Sequence, residues 1–289
     1  MGSKNGIAVE LISRLPDGKR FVDLFGGGFA MSHCALLSNK YNQVLYNEYN
    51  PLLPKLIRKA INGEYNYDRF KPKFITRKEF NNLKDKDGYV KYIWSFSNQG
   101  DTYLFGADIE KNKESIHNWV VFNIKDEFMK TYFSDIDKYI KTKDIKKRRL
   151  LFRRYVEILR KKLKISKEFA RTQHLERLER LQTLEQLQQL EQLERLAIVQ
   201  GDYKDYEYKD GDVVYCDPPY EDTAKYNNNT SFNHKEFYDW VASRPYQVYF
   251  SSYNNISDKR FKMVWAKGKR NLMAGATKNH KYECLYTNK

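Results

Sequence analysis

The stretch from Arg20 to Glu48 constrains the fold most. Arg20-Phe21-Val22-Asp23-Leu24-Phe25 reads as a buried strand and runs straight into Gly26-Gly27-Gly28. A helix is expected from Ala30 to Leu37, then a second strand over Gln43–Tyr46, closing on Asn47-Glu48. Strand, glycine turn, helix, strand is a βαβ unit, and such units build parallel α/β sheets. Glycines at a strand's C-terminal end let a ligand approach the backbone and let the chain turn sharply into a helix. Glu48 lies at the end of the next strand, where a carboxylate can hydrogen-bond a ribose diol. The pair points to an adenosine-containing cofactor. A plain tight turn is the alternative. The GxGxxG pattern is not met, since Ala30 and Met31 follow Phe29, and there is no GxxxxGK[ST] loop for a nucleoside triphosphate.

The α/β pattern is then interrupted. Residues 54–173 are rich in Lys, Asn, Tyr and Phe, and Ile116, Trp119, Val120 and Ile124 fall at helical spacing. A mostly helical insertion is expected there. Within it, 138–164 is densely basic, with Lys146, Lys147, Arg148, Arg149, Arg153 and Arg154 at its centre and only Asp144 and Glu157 opposing. A solvated helix face is the bland reading of such a run. Residues 174–196 carry Leu at every third position from Leu175 to Leu196. An α-helix would spread these leucines around its whole circumference, whereas three residues per turn stacks them on one face. A 3₁₀-helix is therefore favoured, forming a spacer whose apolar stripe must be buried within the chain or by self-association. The alternation resumes with strands at Ile198–Gln200 and Val213–Cys216, a helix near 234–242, and strands at 246–251, 261–265 and 282–286.

Charge and composition narrow the class. Lys plus Arg is 52 and Asp plus Glu is 37, a net +15, and 23 Tyr, 17 Phe and 4 Trp rule out wholesale disorder. Clustered positive charge with many aromatics suggests a nucleic-acid partner. Three scattered cysteines form neither a disulfide framework nor a zinc site, so no metal is expected. No apolar run is long enough to span a membrane and the N-terminus lacks a signal-peptide core, so a soluble, cytoplasmic protein is expected.

The second motif is Asp217-Pro218-Pro219-Tyr220, at the end of the Val213–Cys216 strand. Two prolines stiffen the loop and leave their carbonyls as rigid acceptors. A carboxylate followed by fixed carbonyls can accept both protons of an amine, and Tyr220 offers a face on which a base can stack. An ordinary proline-stiffened turn is the alternative.

The two motifs, in this order and spacing, resemble the Dam-type DNA adenine-N6 methyltransferases of phages and bacteria, a group that includes restriction-modification enzymes. Gly2-Ser3-Lys4 is similar to that family's N-terminal lysine motif. Trp94-Ser95-Phe96 and Tyr103-Leu104-Phe105-Gly106 resemble the insertion of phage members, and Tyr282–Tyr286 resembles the last strand. The resemblance implies a Rossmann-like class I methyltransferase sheet built from residues 1–53 and 197–289. It makes 54–173 the target-recognition insertion and 174–196 an addition. It implies S-adenosylmethionine (AdoMet) as cofactor and double-stranded DNA as partner. Lys4, Asp23, Phe25, Gly26, Gly28, Glu48, Asp202 and Tyr203 would line the cofactor site. Asp217, Pro218, Pro219 and Tyr220 would be catalytic, and the six basic residues named above would contact DNA. Asn227-Asn228-Asn229 and Phe232 are candidates to cover a flipped base. Methylation of RNA or of a cytosine amine, and a non-catalytic DNA-binding relative, are the alternatives.

Overall fold

The computed structural model describes residues 4–66, 70–96, 100–163, 187, 192–221, 232–254, 256–268 and 282–289. The chain divides into two compact units, residues 1–55 with 191–289, and residues 56–190. The first unit opens with a 3₁₀ turn, Lys4–Gly6, then α1 (Ala8–Arg14), β1 (Gly18–Asp23), α2 (Ala30–Leu37) and β2 (Tyr41–Glu48). Helix α3 (Leu52–Ile61) leads into the second unit. That unit carries α4 (Arg77–Leu83), α5 (Gly88–Ile93), α6 (Glu110–Phe122), α7 (Glu127–Tyr132), α8 (Ile136–Tyr139) and α9 (Ile145–Leu163). The first unit resumes with β3 (Leu196–Gln200), β4 (Asp212–Cys216), α10 (His234–Ser243), β5 (Val248–Tyr253), β6 (Lys262–Gly268) and β7 (Tyr282–Thr287).

The seven strands form one sheet in the order β3-β2-β1-β4-β5-β7-β6. Strands β3, β2, β1, β4 and β5 are parallel, and β7 runs antiparallel between β5 and β6. Continuous apolar runs such as Val213–Cys216 suit a sheet covered on both faces. On one face Val22, Leu24, Val214, Cys216, Val248 and Phe250 pack against Phe237, Trp240 and Val241 of α10. On the other, α2 lies on β1 and β2, with α1 against α2. Arg20 clamps Asp212 through two hydrogen bonds of 2.8 and 2.6 Å, tying β1 to β4 at their N-terminal ends. The C-terminal ends of β1, β2 and β4 therefore share one edge, where Asp23, Glu48 and the residues after Cys216 lie.

Three sequence expectations shift. Strand β1 closes at Asp23 rather than Phe25, because the chain turns as the glycines approach. Strand β3 begins at Leu196, so the last leucine of the repeat belongs to the sheet. Helix α6 ends at Phe122, with Asn123 in the left-handed region at φ 61°, so Ile124 lies beyond the helix and is exposed. The repeat itself lies outside the described residues apart from Leu187 and 192–196. In the latter stretch Leu193–Arg195 forms a single 3₁₀ turn. In the second unit, Phe74, Trp94, Phe105 and His117 make a buried aromatic cluster, and α9 docks on α6 through Phe152 against Trp119 at 5.7 Å.

Candidate active site

The glycine turn is fastened to the end of β2. Gly26 N–H donates to the Asn47 carbonyl at 2.8 Å, and Gly27 N–H donates to Glu48 Oε2 at 2.9 Å. The Tyr46 hydroxyl donates to the Gly27 carbonyl at 2.9 Å. A Cβ on Gly26 would sit 2.2 Å from the Tyr46 ring, so no larger residue fits without moving that ring. A Cβ on Gly28 would meet nothing within 4 Å, leaving room above the turn. Asn47 Nδ2 donates to the Leu24 and Gly201 carbonyls, both at 3.1 Å, so three strand ends are held together.

The carboxylates around the turn differ in environment. Asp23 is 1% exposed; Ser32 Oγ donates to its Oδ2 at 2.8 Å, and its Oδ1 is buried with no hydrogen-bond partner among the described residues. Its carboxyl is pushed up to about 7, chiefly by burial, with nearby Asp217 and Glu48 adding to the rise and Ser32 opposing it. Glu48 is raised by burial and pulled back by the N–H groups of Asn50 and Gly27. An acceptor so buried and unpaired suits a cationic ligand, which would supply the missing counter-charge. AdoMet, with a sulfonium and an ammonium, fits that donor set.

The residues after β4 gather around Lys4. Its Nζ lies 2.7 Å from Asp217 Oδ1, 2.8 Å from the Tyr220 hydroxyl and 3.0 Å from Glu283 Oε1. An ammonium has three N–H donors, and each is matched here. The Tyr220 hydroxyl in turn donates to Glu283 Oε1. Burial opposes the charge on Lys4, yet Asp217 and Glu283 together hold its ammonium above the ordinary lysine range. Burial pushes the Asp217 carboxyl up, Lys4 pulls it back, and Glu283 pushes it up again. The Tyr220 ring stands edge-on to Tyr253, with centroids 4.7 Å apart. The Pro219 carbonyl is paired with the His234 ring at 2.7 Å. Pro218 is buried and Pro219 half-buried.

The other expected site residues fall as follows. Phe25 stacks on Tyr203 at 5.2 Å, and Tyr203, 8% exposed, also packs on Phe237 and Trp240. Asp202 caps the short turn Tyr203–Asp205 by accepting from Lys204 N–H at 3.0 Å. Phe232 packs on Phe25 and Tyr203, inside this aromatic cluster. Gly2, Ser3 and Asn227–Asn229 lie outside the described residues. In the second unit, Lys147, Arg153 and Arg154 are exposed on α9, and Lys146 and Arg149 are half-buried. Arg148 corrects the expectation of a phosphate-binding side chain. It is 5% exposed, and its guanidinium donates to the Trp119 and Val120 carbonyls and to Asn123 Oδ1 at 2.7–3.2 Å, while lying over the Trp119 ring. It occupies the apolar stripe of α9 with Ile145, Phe152 and Val156, at helical spacing.

Two functional candidates escaped sequence reasoning. Glu283 carries its own faint signal, a carboxylate in the otherwise uncharged run Tyr282–Thr287. His234 had none, because its partner is a backbone carbonyl.

A parallel sheet closed by one antiparallel strand, with a glycine turn after β1 and an acid-proline-proline-tyrosine loop after β4, defines a Rossmann-like methyltransferase fold. The chain matches the family model of D12 class N6 adenine-specific DNA methyltransferases over residues 1–264 and belongs to that family. It is an adenine-specific DNA methyltransferase, which sets aside the RNA and cytosine-amine readings. Comparison with curated proteins gave no significant match. Among the described residues there is no group of side chains able to hold a metal ion, and no helix long and apolar enough to cross a membrane.

Proposed function

We propose that the protein transfers the methyl group of AdoMet to N6 of an adenine flipped out of duplex DNA at a specific sequence. The observation that carries this reading is the Lys4–Asp217–Tyr220 cluster at the end of β4. It shares its strand-end edge with the glycine turn and Asp23. AdoMet supplies an electrophilic methyl on a sulfonium. Asp23, Glu48 and the turn at Gly26–Gly28 bind it, with Phe25, Tyr203 and Asp202 bordering the site. Lys4 pairs with Asp217 and pulls its carboxyl back against the rise that burial imposes.

The exocyclic amine of adenine is a poor nucleophile because its lone pair is delocalised into the ring. Asp217 and the Pro218 carbonyl accept hydrogen bonds from its two N–H groups, which drives the nitrogen toward a tetrahedral, nucleophilic state; as the methyl passes from sulfur to this nitrogen, one of the two protons leaves to Asp217 or to water. Tyr220 stacks on the base. Positioning and fixed electrostatics then suffice, without a covalent enzyme intermediate. Extruding the base costs a few kcal/mol, repaid by these contacts. Lys146, Lys147, Arg149, Arg153 and Arg154 are the phosphate contacts of the 54–173 insertion. The cytoplasm is the compartment this reading implies.

The test is methyl transfer from labelled AdoMet to unmethylated duplex DNA, with calorimetry for AdoMet. Asp217→Ala should lose more than about tenfold in kcat, over roughly 1.4 kcal/mol, while AdoMet affinity stays within about twofold. Retention of activity would remove Asp217 from the mechanism. Glu48→Ala should weaken AdoMet by about 1–3 kcal/mol, and an unchanged affinity would move the ribose site elsewhere.

A further inference from the structure

The carboxylate of Glu283 has no part in the scheme above, and β7 lies beyond the matched residues 1–264. Yet Glu283 is 7% exposed and takes two of the hydrogen bonds that hold the catalytic loop together, one from Lys4 and one from Tyr220. We propose that Glu283 is a positioning residue for methyl transfer: it anchors Lys4 and the Tyr220 hydroxyl so that Asp217 can turn to the target amine without losing its neighbours. This rests on the assignment of Asp217 and Tyr220 made above.

The physical reason lies in the competition for Lys4. At 2.7 Å the ammonium holds Asp217 Oδ1, one of the two oxygens that must face the amine. With Asp217 as its only carboxylate, Lys4 would clamp it. Glu283 provides a second carboxylate at 3.0 Å, so Lys4 stays ionised and in place while Asp217 engages the substrate. The same oxygen accepts a hydrogen bond from the Tyr220 hydroxyl and so pins the tip of that side chain. One acceptor therefore holds both the cation behind Asp217 and the far end of the stacking residue.

The signature is electrostatic. Among the described residues, Lys4 from the N-terminal turn, Glu283 from β7, Asp23 from β1, Tyr215 and Cys216 from β4 and Tyr220 on its own loop are the titratable groups that act on or feel Asp217. Removing the Glu283 charge removes a like charge from Asp217 and lowers the pH at which it ionises. Removing the Lys4 charge does the opposite.

The experiment compares wild type, Glu283→Gln and Lys4→Gln in single-turnover methyl transfer on duplex DNA across pH 4.5–8.5, with AdoMet affinity by calorimetry. Glu283→Gln should keep AdoMet affinity within about twofold, lose about tenfold or more in rate, and move the acid limb down by about one pH unit. Lys4→Gln should move that limb up. A merely structural role would lower activity in both variants without moving the limbs apart. Limbs that stay put, or move together, overturn the proposal. If Glu283→Gln does not fold, Glu283→Asp takes its place: it keeps the charge but shortens the reach to Lys4 and Tyr220, so the rate should fall with the limb nearly in place, and a wild-type rate overturns the proposal. A wild-type protein that binds AdoMet and methylates DNA while these limbs fail to separate sinks Glu283 alone; a wild type that does neither sinks the underlying reading with it.

Discussion

Burial acts strongly on the carboxyl of Asp23, which is 1% exposed. In the folded protein burial pushes its carboxyl up to about 7, against 3.8 for an exposed aspartate. The folded state thus holds this proton more tightly than the unfolded chain. Stability from this group is full below about pH 4 and is lost as pH rises through about 7. The loss approaches about 4 kcal/mol, at roughly 1.4 kcal/mol per pH unit. Asp23→Asn keeps an acceptor for Ser32 and removes the charge. It should raise the free energy of unfolding of the ligand-free protein at pH 8 and leave it nearly unchanged at pH 4. Urea unfolding at the two values checks this, and equal effects at both would return Asp23 to an ordinary carboxylate. A cationic ligand restores the charge, so AdoMet binding near pH 6.5 should release protons. Calorimetry in buffers of different ionisation enthalpy reads that release directly.

At the scale of elements, α9 shows how one helix divides its charges. Arg148 faces inward and satisfies carbonyls at the C-terminal turn of α6. Lys147, Arg153 and Arg154 face solvent. Arg148→Ala should cost about 1–3 kcal/mol of stability, since it removes the guanidinium donors of the Val120 carbonyl and Asn123 Oδ1 while Asn123 N–H still serves the Trp119 carbonyl, and should not change the salt dependence of DNA binding. The triple change of Lys147, Arg153 and Arg154 to Ala should leave the melting temperature nearly alone and lower the slope of log K against log salt by about 2–3. Filter binding from 50 to 300 mM salt, beside thermal melts, separates the two. If Arg148→Ala flattens the slope, its guanidinium reaches DNA after all. The basic run was legible because charge density is a local property. Arg148 was not, because its role depends on helical phase, three residues after Ile145 and four before Phe152. The glycine turn and Asp217–Tyr220 were legible for the same local reason: each packs its chemistry into four to eight consecutive residues. Glu283 meets Lys4 only because β7 threads between β5 and β6, a fact of topology that no window of sequence contains.

At the scale of the whole molecule, a net charge of +15 coexists with a cluster of buried carboxylates, Asp23, Glu48 and Asp217, at one edge of the sheet. With a net +15, its association with duplex DNA should slow steeply as ionic strength rises. If AdoMet binds beside Asp23 and Glu48 as proposed, its association should depend on salt weakly and with no gain from the net positive charge. Stopped-flow association of each ligand at 50 and 300 mM salt checks the contrast, and parallel salt dependences would contradict it. The βαβ start and the resumed strands after residue 196 allowed the sheet to be anticipated across the insertion. The start of β3 was not, because Leu196 looks like one more leucine of the repeat until its backbone pairs with Val44.

The Lys4–Glu283 contact joins residues 279 positions apart, 283 minus 4. A ribosome adding about 5–20 residues per second needs on the order of 15–60 s to make the span between them. During that interval the cofactor turn, and later the Asp217–Tyr220 loop, emerge without the carboxylate that completes their arrangement. Translation thus acts as a timer, and a polypeptide halted before Glu283 carries the recognisable motifs but not the carboxylate that Lys4 and Tyr220 share.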